Sequence, residues 1–532
     1  MKRRQFIERI GFLGLASWLE PRGLPRFLEN ASFNPQLSEK KLAGQTALAI
    51  HPDNPKYFLF RGRPLVLLAA SEHYGSIVNR RFDFERYLYE AAATKQTVTR
   101  TFLLYRELQS ARNPCSPLKP DSPDYVAPWP RTGPGGARDG ESKYDLDQWN
   151  HEYFDRLHKF LSLASKLGIV VELTVFSNTY SDDVWDLNPL REGNNLQNVG
   201  GVKWQEYLSQ RDRRLFERQV TYARKIVQET SGYDNIYYEV CNEPGGGFPI
   251  EPTPAEVDAW QDVIAKVLRE EMRNLNCPHL LAGQNAFSYK PEFSQAFDAS
   301  YSGTMLDIVN VHPLPNLILK GRKYQLGNFM SNELQLAEFR DFFLMASKER
   351  KLSISDEDNA ASLYLDDTGW TIDRKRAWMA VMCAAHYNFI DFSIQAHVEA
   401  GTEESRRKIR SWMKNLSGFI HEFDFIHASP AQDWILSAPE HVVSAGLAIR
   451  GKDYVAYLAD RREVRESSAG NPVSGTISIQ LPEGDYRIHF YSPVSGEYSQ
   501  PQAAKGGVGG GATKVVLRTF EHDLVLRAIR VS

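Results

Sequence analysis

The sequence predicts an α/β fold: a (β/α)8 barrel of the TIM type, followed by a small antiparallel β-sandwich domain. From residue 57 onward, short apolar runs alternate with polar loops and segments of helical periodicity, a pattern typical of a parallel sheet covered by helices. Eight such runs precede residue 425, and eight is the number that closes a barrel. Beyond residue 425 the runs are short, alternating and separated by turn residues, as in a sandwich.

Length and composition limit the class of protein. A chain of 532 residues is too long for one ordinary domain and suits a barrel of roughly 250 to 400 residues plus a smaller unit. Its net charge of −3, with 42% hydrophobic and 24% charged residues, is that of a soluble globular protein. No basic surface for nucleic acid is expected, and hence no nucleic-acid partner. The four cysteines lack C-x-x-C or zinc-ligand spacing, so neither a disulfide framework nor a zinc site is predicted.

Residues 1–30 are predicted to form an export signal and residues 31–50 a linker. The cations Lys2, Arg3 and Arg4 precede the apolar stretch Ile10–Leu19, and the segment resembles the twin-arginine export signal of bacteria. That stretch is too short to span a bilayer as a helix, so no integral membrane span is expected in the mature protein. The predicted location is periplasmic or secreted. The alternative is an amphipathic helix that stays on the protein.

The predicted barrel domain covers residues 51–425. A hairpin at Tyr57–Phe60 and Pro64–Leu68 leads into the first barrel strand, which ends at Ser71. The other seven predicted strands are Thr97–Leu103, Ile169–Phe176, Ile236–Cys241, Leu280–Gln284, Asp307–Val311, Leu352–Ser355 and Phe389–Ile394. Helical periodicity separates them, most clearly at Tyr153–Leu167, Arg213–Glu229 and Ala255–Leu275.

The predicted sandwich covers residues 426–532. Its alternating runs are Asp433–Leu436, Val442–Ile449, Tyr454–Leu458, Gly475–Ile479, Tyr486–Tyr491, Lys514–Leu517 and Leu524–Val531. The glycine-rich tract Gly506–Gly511 is predicted to be a flexible loop between two of these strands. The sequence leaves open whether this domain binds glycan or only buttresses the barrel.

Acidic residues end two of the predicted strands. Glu243 closes strand four, where Pro244 stops the pairing, and Glu357 follows strand seven, three strand–helix units later. Parallel barrel strands deliver their last side chains to the C-terminal face, where barrel enzymes do their chemistry. Two carboxylates across a barrel mouth are sufficient to cleave a glycosidic bond, one protonating the departing oxygen and the other stabilising or attacking the sugar carbon. Glu243 fits the acid/base role and Glu357 the nucleophile.

The sequence leaves open which strand-seven acid faces the pocket. Asp356, Glu357 and Asp358 are consecutive, and side chains alternate along a strand, so Glu357 is expected to point away from its two neighbours. Asp358 is the second candidate for the nucleophile. On strand four, Asn242 is a candidate hydrogen-bond partner for the sugar 2-hydroxyl.

A family resemblance supports this interpretation. The segment Tyr238–Pro244 resembles the strand-four motif of clan A glycoside hydrolases, which include the family 5 cellulases and mannanases. Other similar segments are His51–Phe58, Glu72–Gly75, Thr99–Phe102 and Asn310–His312. The resemblance implies a retaining glycoside hydrolase that cleaves a β-linked poly- or oligosaccharide by double displacement through a covalent glycosyl-enzyme. It also implies no metal or organic cofactor.

The resemblance implies roles for further residues. Arg100, at the end of strand two, stands where the clan has an arginine that steadies the nucleophile; the alternative is a salt bridge inside the barrel rim. His312, after strand six, resembles a residue that contacts substrate or nucleophile; the alternative is a histidine satisfied at the rim. Glutamate is the usual nucleophile of the clan, which favours Glu357 over Asp358. Residues 426–532 resemble the collagen-binding-type β-domain that follows such barrels.

Other candidates rest on position alone. His73 and Tyr74 end strand one and are candidates to line a sugar subsite. Trp129 lies in the long Pro- and Gly-rich loop Ser110–Tyr144, where it is either a sugar platform or an anchor of the loop. Weaker candidates near the predicted mouth are Asn178, Tyr180, Trp185, Trp370, Ser393 and Gln395. The last two lie on strand eight, where the frequent tryptophan of the clan is missing.

Two other functions stay open. The first is a non-catalytic carbohydrate-binding protein on a degenerate barrel, although the intact pair Asn242-Glu243 and the strand-seven acids argue against decay of the site. The second is a metal-dependent barrel hydrolase, which would need clustered His and Asp ligands at strand ends. The predicted strands show no such ligand motif.

Overall fold

Eight parallel strands form the centre of the structure, a computed structural model. They are β1 (Leu68–Ser71), β2 (Val98–Phe102), β3 (Val170–Ser177), β4 (Ile236–Asn242), β5 (Leu281–Gly283), β6 (Ile308–Val311), β7 (Leu352–Asp358) and β8 (His386–Ile390). The structure describes residues 47–72, 75–104, 106, 122–246, 252–288, 295–314, 316–326, 335–358, 367–391, 403–463, 465–507 and 511–531.

The eight strands curl into a nearly closed barrel. They pair in the order β1-β8-β7-β6-β5-β4-β3-β2. The two end strands then meet where Thr97 N–H donates to Leu68 O at 3.0 Å and Leu68 N–H donates to Thr97 Oγ1 at 2.8 Å. The predicted (β/α)8 architecture is therefore confirmed, with β8 beginning at His386 rather than at Phe389.

Helices alternate with the strands along the chain. They are α1 (Phe84–Ala93), α2 (His151–Leu167), α3 (Asp182–Trp185), α4 (Arg213–Thr230), α5 (Pro254–Asn274), α6 (Asp298–Ser302), α7 (Leu336–Ala346), α8 (Asp367–Met382) and α9 (Glu403–Glu422). Local signals set their ends. Asn150 caps α2 by accepting from Glu152 N–H at 3.1 Å, and Gly168 ends it with a left-handed φ of 74°, as capping chemistry predicts.

Short elements decorate the barrel. Within the part of the chain that the structure describes, 3-10 turns lie at Ser122–Asp124 and Trp204–Glu206. Short strands outside the barrel are Ala49–Ile50, Phe58–Phe60, Arg63–Leu65, Arg131–Gly136, Ser142–Tyr144, Gly245–Gly246, Phe287–Ser288, Gln295–Ala296, Leu317–Leu319 and Arg322–Tyr324.

The N-terminal end of the barrel is closed by apolar packing. Phe58, from the predicted hairpin, is fully buried in one cluster with Val98, Val170 and Leu352, which are the first residues of β2, β3 and β7. Because this end is filled, any chemistry of the barrel lies at the opposite, C-terminal face.

The C-terminal part consists of antiparallel sheets, as predicted. Its strands are β9 (Ser429–Pro430), β10 (Ile435–Ser437), β11 (Val442–Ile449), β12 (Asp453–Asp460), β13 (Thr476–Gln480), β14 (Gly484–Tyr491), β15 (Gln502–Gly506), β16 (Ala512–Val516) and β17 (Asp523–Arg530). They form a sheet ordered β9-β11-β12-β17-β14-β15 and a second sheet ordered β10-β13-β16. Barrel and C-terminal sheets belong to one compact unit, residues 45–532.

Two further facts concern the described residues only. None of their helices combines the length and apolarity needed to cross a membrane. Their cysteines, Cys241, Cys277 and Cys383, are buried free thiols.

Candidate active site

Glu243 lies immediately after β4, at the C-terminal face of the barrel. Its backbone is left-handed, with φ of 43°, a conformation that costs an L-residue free energy. Tyr180 OH donates to Glu243 Oε2 at 2.8 Å, and Nδ1 of His312 lies 3.0 Å from Glu243 Oε1. The Glu243 side chain remains 17% exposed. A carboxyl group with one open side and two fixed neighbours can exchange a proton with a bound molecule.

A β-bulge aims Glu357 at the same place. Ser355 pairs with Tyr387 and Asp358 pairs with Phe389. Between these two pairs β7 advances by three residues while β8 advances by two, so β7 contains one extra residue. Glu357 lies inside this bulge with a left-handed φ of 52°. Bulges re-aim side chains next to active sites, and here the bulge breaks the alternation that the sequence predicted.

The bulge resolves which acids of β7 face the barrel. Glu357 contacts Arg100 and His312. Asp356 also faces inward but deeper, 3.2 Å from Arg100 Nε, and accepts a hydrogen bond from Asn388 at 3.0 Å. Asp358 points outward and pairs with Arg376 of α8. The geometry therefore favours Glu357 over both neighbours as the carboxylate that a ligand can reach.

Arg100 ties the two strand ends together. Its guanidinium is completely buried. Nη1 forms a short contact with Glu357 Oε1, and Nη2 donates to Asn242 Oδ1 at 2.7 Å. Burial disfavours the cation, but Coulombic attraction by Asp356, Glu239 and Glu357 raises the pKa of Arg100 well above its usual value. A permanently charged fork thus holds both Glu357 and Asn242 in place.

Beneath this layer the barrel contains a polar network that sequence reasoning missed. Glu239 accepts from Arg100 Nη2 at 2.6 Å and from Thr174 Oγ1 at 2.7 Å. Glu172 accepts from Asn310 and from Tyr237, both at 2.7 Å. Burial, together with the negative charges of Asp356 and Glu239, raises the pKa of Glu172 well above its usual range.

A signal for that network exists in the sequence. Glu172 and Glu239 each interrupt an apolar strand at an interior position, and carboxylates are almost never fully buried unless paired. The two glutamates thus required an internal cation, which Arg100 supplies.

His312 bridges the two candidate catalytic carboxylates. Its Nδ1 lies 3.5 Å from Glu357 Oε2, in addition to its contact with Glu243. Burial favours the neutral ring, but Coulombic attraction by Glu357 and the hydrogen bond to Glu243 raise the pKa of His312 to about 9. Its Nε2 is buried and makes no hydrogen bond with the described residues. A protonated ring therefore presents one donor to the carboxylates and keeps a second donor available.

The carboxylates are close together. One ligand atom from each of Glu243, His312 and Glu357 lies within 4.8 Å of the others. Such a group could also hold a metal ion. Its donor set fits one poorly, because the buried Arg100 cation already contacts Glu357 and would repel a metal cation held beside it.

The other predicted site residues divide into two groups. His73, Tyr74, Ser393 and Gln395 lie outside the described residues. Trp129 is buried and packs between Trp149 and Tyr222, with ring centroids 6.0 and 5.4 Å away. Trp129 is therefore the anchor of its loop, and its ring face is not presented to a sugar at the barrel mouth.

Of the weaker candidates, two are core residues and two adjoin Glu243. Trp185 packs on Tyr207 and donates to Val202 O at 2.9 Å, and Trp370 is buried in α8. Asn178 donates to Gly245 O at 3.1 Å, which holds the turn after β4. Tyr180 touches Glu243 directly. The position of Tyr180 after β3 could be read from the sequence, whereas the contact of its hydroxyl with Glu243 could not.

Comparisons with known proteins support the fold. Residues 120–234 match a family described as a domain of unknown function (DUF6298). No functionally curated protein matches the chain.

Solved structures that resemble this chain are glycoside hydrolases with a barrel-like parallel sheet. One, described as a glycoside hydrolase, is 12% identical with a TM-score of 0.58, covering 91% of this chain and 97% of its own. Another, a glycoside hydrolase family 5 protein from Bacteroides vulgatus, is 12% identical with a TM-score of 0.57, covering 91% and 93%. At this identity the similarity establishes the fold, and the chemistry depends on the site itself.

Proposed function

We propose that this protein is a retaining glycoside hydrolase that cleaves β-linked poly- or oligosaccharides. The observation that carries the proposal is the separation of Glu243 and Glu357, whose nearest ligand oxygens lie within 4.8 Å. Retaining enzymes hold their carboxyl groups about 5–5.5 Å apart, whereas inverting enzymes leave about 6.5–9.5 Å for a water molecule. The residues that contact Glu243 and Glu357 also suit the separate roles of the two acids.

In the first step Glu357 attacks the anomeric carbon while Glu243 protonates the departing glycosidic oxygen. Glu357 suits the nucleophile because Arg100 stabilises its negative charge and fixes its direction. The products of this step are a glycosyl ester on Glu357 and a free alcohol. Asn242 Oδ1 accepts from Arg100, and Asn242 Nδ2 donates to the hydroxyls of Tyr180 at 2.9 Å and Ser177 at 3.2 Å. The amide is thus held beside Glu243, where it is our candidate partner for the sugar 2-hydroxyl.

In the second step Glu243, now ionised, takes a proton from water, and the water oxygen attacks the anomeric carbon of the glycosyl ester, which releases the Glu357 carboxylate. This restores both carboxyl groups and releases the sugar with its original anomeric configuration. The His312 imidazolium faces both acids. It can therefore balance negative charge as the proton leaves and returns to Glu243.

Similar structures favour the same reaction class. Those described above are named as glycoside hydrolases, one of them in family 5, and the chain shares their barrel. Clan A membership belongs to this proposal and rests on the segment Tyr238–Pro244 together with the positions of Arg100 and His312. The collagen-binding-type label of residues 426–532, the boundaries of the domains and export of the protein remain predictions from sequence.

The test is hydrolysis of a panel of β-glucans, β-mannans, β-xylans and their oligosaccharides by wild type, Glu243→Gln and Glu357→Gln. Loss of activity in both variants, with unchanged circular dichroism, is expected. The matched control is Glu217→Gln, an exposed carboxylate of α4 paired only with Arg213 among the described residues. The configuration of the first product, read by nuclear magnetic resonance, checks retention.

Two outcomes would contradict the proposal. Full activity in Glu357→Gln would remove Glu357 as the nucleophile. Binding of a glycan without any hydrolysis would favour the non-catalytic carbohydrate-binding protein. Metal analysis and an assay after exhaustive chelation test the metal-dependent alternative, because a retaining carboxylate pair keeps its activity after chelation.

A further inference from the structure

Helix α8 carries three consecutive buried cations. The side chains of Arg374, Lys375 and Arg376 are at most 1% exposed. Lysine and arginine are almost never buried to this extent unless they are paired. Because successive helical residues point about 100° apart, these three cations need anions on three different sides of the helix.

The C-terminal domain supplies two of the three anions. Arg374 binds Asp523, the first residue of β17, through Nε and Nη2 at 2.9 and 2.8 Å. Lys375 Nζ lies 2.7 Å from both Glu463 Oε1 and the Asp460 carbonyl oxygen. Asp523 also accepts from Tyr457 OH at 2.9 Å. The helix is thus held to two neighbouring strands of the larger sheet.

Aromatic packing reinforces the same contact. Trp378 stacks on Tyr457 with ring centroids 5.5 Å apart and planes 14° apart. Its indole also packs against Phe419 of α9 and Tyr491 of β14. Helix α8 therefore shares one continuous core with the C-terminal domain.

The third cation contacts the catalytic strand. Arg376 Nη1 donates to Asp358 Oδ1 at 3.0 Å, and both side chains are buried. Asp358 directly follows Glu357 and is the residue whose pairing with Phe389 closes the bulge of β7. Arg376 also donates a short hydrogen bond to Leu326 O. The end of β7 is thereby attached to α8.

From these contacts we infer that the C-terminal domain positions the nucleophile. Asp523 holds Arg374 and with it α8; Arg376 on α8 holds Asp358; and Asp358 fixes the bulge that aims Glu357 at Arg100. Asp523, Arg376 and Asp358 are positioning residues in this scheme. The inference rests on the proposed function, because it assigns the domain a part in that reaction rather than a separate binding role.

The scheme predicts a specific kinetic defect. Removing the Asp523 charge leaves Arg374 buried beside a neutral partner, which favours movement of the helix. Asp523 has no contact with the sugar-facing groups Asn242 or His312, so ground-state binding is retained. Misplacement of a catalytic group by about 1 Å costs about 10²-fold in rate, and Asp523→Asn is expected to lower kcat to that extent with KM changed less than about twofold.

The experiment compares full-length Asp523→Asn with Asp433→Asn. Asp433 lies in the same domain and pairs with Arg450 at the surface, 66% and 59% exposed respectively, so its loss leaves α8 untouched. Kinetics use an aryl β-cellobioside and an aryl β-mannobioside as chromogenic probes. Hydrogen exchange of residues 352–358 is measured in parallel and is expected to be faster in Asp523→Asn only.

The possible results distinguish a failure of this inference from a failure of the proposed function. Equal kcat and equal exchange in the two variants would overturn the inference. If wild type hydrolyses neither these probes nor the panel, the proposed function fails, and the exchange of residues 352–358 still decides whether the domain controls β7. If Asp523→Asn does not fold, Asp523→Glu, which retains the charge but displaces it, replaces it with the same readouts.

Discussion

The hydroxyl of Tyr180 and the carboxylate of Glu243 are joined by a 2.8 Å hydrogen bond. Both residues have a left-handed backbone, with φ of 61° at Tyr180 and 43° at Glu243. A bulky side chain in that conformation is uncommon, and such outliers cluster at active sites. The chain thus bends at two separate points to bring an acid and its hydrogen-bond donor together.

Tyr180→Phe should reduce kcat without unfolding the protein. A hydrogen bond to a charged group contributes about 1.5–3 kcal/mol, which corresponds to a loss of roughly 10- to 150-fold if it operates in the transition state. The variant also frees Asn242 from its 2.9 Å contact with the Tyr180 hydroxyl. Steady-state kinetics measure this loss, with Tyr233→Phe, in the turn between α4 and β4, as control. Equal kcat in both variants would remove Tyr180 from the site.

Arg100→Met should cost both stability and activity. It leaves Glu239, Asp356 and Glu357 without their shared cation, and removal of one partner of a buried ion pair costs about 3–5 kcal/mol. Urea unfolding measures this free energy. Arg213→Met, which breaks an exposed pair with Glu217, is expected to cost about 0.5 kcal/mol or less.

Arg100→Lys separates the charge of Arg100 from its geometry. Lysine keeps the positive charge but cannot reach Glu357 and Asn242 together, because it lacks the planar fork. Stability is expected to recover partly while kcat stays low. Recovery of kcat to the wild-type value would show that charge alone matters there.

The pairing of His312 should make stability depend on alkaline pH. Its folded-state pKa is about 9, above the ordinary value of 6.5. The stabilisation from this histidine is therefore fully present below about pH 6.5 and is lost as the pH rises through about 9. The difference in free energy of unfolding between wild type and His312→Gln should shrink from pH 6 to about pH 10. A difference that stays constant from pH 6 to about pH 10 would contradict this pairing.

Trp129→Ala should affect stability rather than substrate binding. Its ring packs against Trp149 and Tyr222, and removal of a buried tryptophan costs about 3–5 kcal/mol. Thermal unfolding checks this loss, and KM measured below the lowered transition is expected to match wild type. A raised KM in a stably folded Trp129→Phe variant would restore the sugar-platform interpretation.

Sequence patterns were sufficient for the barrel but not for the detail of its mouth. Strand–helix alternation and the acid after β4 are local signals, so the fold and the position of Glu243 could be predicted. The orientation of Glu357 could not, because strict alternation assigns Asp356 and Glu357 to opposite faces. The bulge between Ser355 and Asp358 arises from pairing with β8, a contact between distant parts of the chain.

The orientation of Trp129 could not be predicted for a related reason. Whether Trp129 faces a sugar or the core depends on where its loop folds back. The residues that pack against its ring, Trp149 and Tyr222, lie on other segments of the chain. For Arg100 the family resemblance implied a place beside the nucleophile, and its guanidinium contacts Glu357. Arg100 is buried in an ion-pair network and also contacts Glu357.

The left-handed backbone at Glu243 and Glu357 lowers the stability of the fold at both positions. Each such conformation costs about 1–3 kcal/mol for a residue other than glycine, and glycine or asparagine would occupy it more easily. A barrel that only had to be stable, or only had to bind a sugar, would gain stability if both glutamates were replaced. Under the proposed mechanism both glutamates are needed for turnover, so attempts to make this protein more thermostable should leave them unchanged.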